Sequence, residues 1–163
     1  DHNWGIWRGV TWDWGASRAG EFTFLYGRVK QSSTPGDGGL GVENPLMLYL
    51  VDSLGFRALF RPKQIAYEGA RRIEIGGRML EVPKRAVLAD VRGGDTLYIA
   101  IEIEDAIATD TRRPLLDRGD QSAADSTLST PYFIQMKGTA RLRGRVGGKP
   151  VTGMGTGFFE TYR

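Results

Sequence analysis

Alternation with a period of two recurs along this chain. In TLYIAIEIED, Leu97, Ile99, Ile101 and Ile103 fall on one face, and Tyr98, Ala100, Glu102 and Glu104 on the other. That is the pattern of a strand buried on one side. In TARLRGRV, Ala140, Leu142, Gly144 and Val146 alternate with Arg141, Arg143 and Arg145. EFTFLYGRV, PLMLYLVDS and GFRALFRP read as further strands, rich in aromatic and aliphatic residues. DSLG and VGGKP sit between such runs as hairpin turns, and SSTPGDGG, EIGG and VRGGD mark other turns. No helix longer than two turns is predicted. The stretch DTRRPLLDRGDQSAADSTLS is polar and longer than an ordinary connection, which marks a functional or mobile loop.

Short strands separated by glycine-rich turns predict an all-β sandwich or antiparallel barrel. Glycines inside the strands, as in GTARLRGRV and GMGTGFF, fit the sharp bends of a small barrel. A closed barrel of about eight strands encloses one small ligand, so the fold already points to binding.

At 163 residues the chain, 1–163, is expected to form one domain. It is 40% hydrophobic and 25% charged, an ordinary globular composition, and no apolar run has the length of a membrane helix. No signal peptide is recognised. Because the first residue is Asp1 rather than Met, an upstream segment or domain is expected to have been removed. The absence of cysteine excludes disulfides, thiolate catalysis and Cys-ligated zinc. A single histidine excludes multi-histidine metal sites. No cofactor is expected. The net charge of +3 does not argue for nucleic acid. The Arg141, Arg143 and Arg145 stripe lacks the interleaved aromatics of a nucleic-acid face and reads as an exposed strand face.

Candidate chemistry concentrates at the start. DHNWGIWRGVTWDWG holds all four tryptophans, the one histidine and two aspartates. In alternation Trp4, Trp12 and Trp14 share a face with Arg8, and Asp13 lies on the other. These rings are either core packing or the walls of an apolar pocket. His2, beside Asp1, is the natural general acid or base if that segment lines a cavity. Glu160 lies among the rings of GFFETYR, where a carboxylate is either paired or shifted in pKa.

DHNWG followed by Trp12-Asp13-Trp14, the hairpin LMLYLVDSLGF and the closing GMGTGFFETY together resemble the C-terminal half of the carotenoid 1,2-hydratase and AttH-like family. The resemblance implies a lipocalin-like barrel that packs on a second, N-terminal barrel half and holds an apolar molecule. It also implies hydration or cyclisation of isoprenoids. By that resemblance His2 and Trp4 match the family's D-H-x-W motif. Tyr26-Gly27-Arg28 matches a strand on which the hydratases carry a tyrosine and an aspartate. Arg28 thus stands where the family has an acid, and arginine stays protonated too firmly to donate. Glu21, Asp13 or Glu160 would have to supply the proton.

The sequence therefore leads to three expectations. The first is a barrel that binds an apolar, isoprenoid or lipid-like molecule through Trp4, Trp12, Trp14, Arg28 and Glu160. The second is a hydratase or cyclase acting through Asp1, His2 and Tyr26, with rings that stabilise a cation. The third is a partner half that packs on another barrel or on a second copy, recognisable by an open apolar stripe. Bacterial cytoplasm and periplasm both fit the composition.

Overall fold

The computed structural model describes residues 10–31, 44–75, 77–110 and 132–162. Among these residues nine strands form one antiparallel sheet: β1 (Val10–Ala19), β2 (Phe22–Gln31), β3 (Met47–Asp52), β4 (Gly55–Phe60), β5 (Ala66–Ile75), β6 (Arg78–Arg92), β7 (Asp95–Asp110), β8 (Tyr132–Val146) and β9 (Lys149–Tyr162). Their order is β4-β3-β2-β1-β9-β8-β7-β6-β5. All-β antiparallel architecture is thus as the alternation predicts, and the DSLG and VGGKP hairpins fall where expected, between β3 and β4 and between β8 and β9. The second uses Gly147 and Gly148, both at positive φ (58° and 76°), as a tight two-residue hairpin turn requires. Among the described residues no helix is long and apolar enough to cross a membrane. Most of the long polar stretch after Asp110 lies outside the described residues.

The two edges of this sheet, β4 and β5, are consecutive in the chain and joined only by residues 61–65. Laid flat, nine strands would span about 38 Å. Five extended residues reach only about 21 Å from strand to strand. The sheet therefore has to curl. Side chains hold the curl: the Arg61 N–H donates to the Asp90 carboxylate on β6 at 2.7 Å, and Arg92 donates to the carbonyl of Leu59 on β4 at 3.0 Å. No backbone ladder joins β4 to β5, so the sheet curls without closing as a hydrogen-bonded ring.

The concave face is a packed core. Phe24 and Tyr26 of β2, Leu48 and Leu50 of β3, Ile99 and Ile101 of β7 and Phe159 of β9 are all buried. Each such side chain contributes about 1.5–3 kcal/mol by leaving water. The strand glycines permit the bends. A Cβ on Gly155 would collide with the backbone carbonyl of Arg18, and one on Gly144 with that of Thr96. Only glycine lets the strands approach so closely.

β5 and β6 are not among the strands that alternation marks. β5 puts Arg71 toward the interior and breaks its ladder at Gly69, which has φ of 62°. β6 carries Pro83, a residue that ordinarily argues against a paired strand.

Candidate functional site

The inward residues of β1 are Asp13, Gly15, Ser17 and Ala19, all buried. Trp12 and Trp14 point to the other face. The strand is thus polar toward the interior at one end, which is unusual and has to be compensated. The compensation comes from β2. Asp13 pairs in register with Arg28, whose Nη2 and Nε donate to Asp13 Oδ2 at 2.9 and 3.2 Å. Both side chains are only 6% exposed. The other carboxylate oxygen, Oδ1, accepts from the Tyr67 hydroxyl at 2.9 Å. Tyr67 lies on β5, far from β1 in sheet order, so this bond spans the curled interior. Lys30 adds a second cation, its Nζ 3.8 Å from Asp13 Oδ2 and its side chain 41% exposed.

A pocket of about 300 Å³ opens beside this cluster. Its polar side is Asp13, Arg28 and Lys30 with the hydroxyls of Thr11, Tyr67 and Thr161. Its apolar side is Ile65, Trp12 and Tyr162. Trp12 stacks on Tyr162 with ring centroids 4.4 Å apart and planes inclined by 14°, and alternation puts this pair on the face opposite Asp13 and Thr161, so the two residues border the pocket from its rim.

Next to the cluster the packing turns on one glycine. Gly15 stands between Tyr26 on β2 and Phe159 on β9 in the cross-strand row. The two rings fill the space that its missing side chain leaves and stack 6.3 Å apart. The Tyr26 hydroxyl is buried and has no hydrogen-bond partner among the described residues. Burial, with Tyr67 and Asp13 close by, pushes this phenol well above its ordinary pKa. An orphaned hydroxyl in the interior costs about 1–3 kcal/mol and is a common mark of a functional position.

Asp1, His2 and Trp4 lie outside the described residues. Tyr26 and Arg28 are inside, one beside the pocket and one lining it. Trp12 borders the pocket, its ring on the face opposite Asp13. Trp14 is 39% exposed on the convex face, away from the pocket. Glu160 is on that same convex face and accepts a hydrogen bond from Gln135 at 3.2 Å. Glu21 is exposed where β1 turns into β2. Of the three carboxylates proposed as replacement acids, only Asp13 lines the pocket, and both its oxygens are engaged. Lys30, Ile65, Tyr67 and Thr161 are additions that the fold makes. No local pattern links β5 to β1, so Tyr67 could not be found without the curl.

Among the described residues no group of three or more His, Asp or Glu is placed to hold a metal ion. No family model matches the chain, and no curated protein matches it. Among solved structures it is similar to that of a candidate AttH from Nitrosomonas europaea, with 16% identity and a TM-score of 0.40 over 93% of this chain. The chain spans 38% of that protein's length.

Proposed function

We propose that this chain is a lipocalin-like β-barrel domain that binds one apolar small molecule, isoprenoid or lipid-like, at its open end. The observation that carries this reading is the pocket itself. It sets a few convergent polar groups beside the apolar residues Ile65, Trp12 and Tyr162, the usual make-up of a small-molecule site. Its volume, at about 30 Å³ per water-sized atom, has room for roughly ten non-hydrogen atoms. A short amphiphile fits whole, and a longer isoprenoid enters by one end. The test is incubation of the purified chain with short prenyl alcohols and fatty acids in heavy-oxygen water, followed by mass spectrometry. Retention of an unaltered molecule is the expected result. Heavy oxygen in the lipid, dependent on the protein, would replace binding with hydration. No retention would overturn the reading.

A second reading, a domain that packs on another copy or another barrel, is favoured by the convex face. Tyr49, Leu25, Ala16 and Phe158 form one row across β3, β2, β1 and β9. Val29, Trp12, Tyr162 and Phe133 form a parallel row, with Trp14 between. Phe158 is 66% exposed and Val29 42%. The convex face over β5, β6 and β7 is mixed: Arg85 bridges Glu68 at 2.8 Å and Glu102 at 3.0 Å there, and Met79, Val91 and Ile107 are exposed on the same strands. A contiguous exposed apolar patch marks a contact surface.

A further inference from the structure

We infer that the convex face over β8 and the adjoining parts of β1 and β9 docks on an anionic lipid surface. This goes beyond the small-molecule reading and stands whether or not the pocket is filled. Alternation puts Lys137, Arg141, Arg143 and Arg145 of β8 and Arg18 of β1 on the outer side, and all five are exposed. Among the described residues none of the five is ion-paired with a carboxylate. The outer faces of β1, β8 and β9 carry one carboxylate, Glu160, and it already accepts from Gln135. The acids that border β8 are engaged as well: Glu102 with Arg85, Glu104 with the Thr139 hydroxyl, and Asp95 with the Gly147 N–H. The formal net charge is only +3, so five cations against one carboxylate on one face is a segregation of charge. A surface of that kind is complementary to an anionic one.

The apolar side chains among these cations favour a membrane. Met154 lies opposite Arg141 across the β8–β9 ladder and is 56% exposed, and Phe158 lies opposite Lys137 and is 66% exposed. Cations at the head groups with apolar tips reaching below them are what holds a protein at a bilayer interface. Nucleic acid fits less well. Leu142 and Gly144 between the arginines face inward, and the apolar neighbour of Arg141 is a methionine, which offers no ring for a base to stack on.

The test is co-sedimentation of the whole chain with two kinds of vesicle in about 0.1 M salt. One kind is phosphatidylcholine alone; the other is two parts phosphatidylcholine to one part phosphatidylglycerol. The chain should pellet with the anionic vesicles and stay in solution with the neutral ones, and more salt should release it. Arg141→Gln with Arg143→Gln should weaken binding to the anionic vesicles about thirtyfold, the share of two cations at such a surface. Met154→Ser should weaken it severalfold at every salt concentration, because that share is not electrostatic. Lys63→Gln with Arg72→Gln removes the same charge from β5 and the segment before it, and should leave binding unchanged. All five substitutions are at exposed positions, so the fold should survive them. Equal binding to both vesicles, or none to either, would overturn the inference. So would an equal loss in the two double variants, which would make net charge the cause instead of this face, or wild-type affinity in Met154→Ser. Tighter binding to a single-stranded oligonucleotide than to the vesicles, lost with Arg141 and Arg143, would overturn it in favour of nucleic acid.

Discussion

Asp13 and Arg28 face each other across the β1–β2 ladder and close an ion pair at 2.9 Å with both side chains almost wholly buried. Such a pair does little for net stability, because desolvation of the two charges offsets their attraction. Breaking it is another matter. Asp13→Ala leaves the Arg28 guanidinium in the interior without its carboxylate. It is expected to cost about 3–5 kcal/mol, read as a fall in the urea midpoint. Replacing both together, Asp13→Leu with Arg28→Met, should cost far less than the single change, because no charge is stranded.

Tyr26 gives a test with the opposite sign. Its hydroxyl is buried without a partner among the described residues, so Tyr26→Phe removes an unmet polar group. The variant should be as stable as the wild type or more so by about 1 kcal/mol. The pH dependence follows from the raised phenol pKa. Above pH 10, the ordinary tyrosine value, the unfolded chain releases a proton that the folded chain still holds. The unfolded state is then favoured, so stability present below pH 10 is lost as pH rises beyond it. Melting curves across that range should fall for the wild type and flatten for Tyr26→Phe. A loss of ligand binding in a variant that folds better would mark the hydroxyl as kept for function.

Gly15 supports that ring. A Cβ there would lie 2.6 Å from both Tyr26 and Phe159. Gly15→Ala therefore has to push two stacked, buried rings apart. A loss of about 1–3 kcal/mol is expected, as for other overpacked cores. Thermal unfolding of the variant checks it, and an unchanged melting temperature would mean that the rings are free to shift.

The convex patch calls for a solution experiment. Phe158 is well exposed, so Phe158→Asp should change stability by no more than about 0.5 kcal/mol. If the patch joins two copies, light scattering should show the wild type associating as concentration rises and Phe158→Asp staying monomeric. A wild type that is monomeric throughout would remove a second copy as the occupant of that face.

Much of this was legible in the sequence, and for definite reasons. Strands with a clean period of two, such as TLYIAIEIED, declare their buried face. The Asp13–Arg28 pair was also within reach. A two-residue turn at Gly20 and Glu21 pairs each residue of β1 with the one equally far along β2, and that puts Asp13 opposite Arg28. Arg28 is then explained as the partner of a carboxylate one strand away. What alternation could not give was the inward face of β1. Tryptophan and aspartate compete for it there, and the usual preference for burying rings would have chosen Trp12 and Trp14. The structure buries the aspartate because Arg28 and Tyr67 meet it inside. Tyr67 was out of reach because its approach to Asp13 depends on the curl of nine strands. No local rule specifies that curl.

The account rests on the pocket beside Asp13 and Arg28. The most direct measurement is a titration of the purified chain with octanoate, followed by amide NMR. The account predicts saturable shifts centred on Thr11, Trp12, Lys30, Tyr67 and Thr161, with the convex face around Arg85 unmoved. An absence of saturable shifts at those five residues, or shifts confined to Trp14 and Phe158 on the apolar convex face, would contradict it.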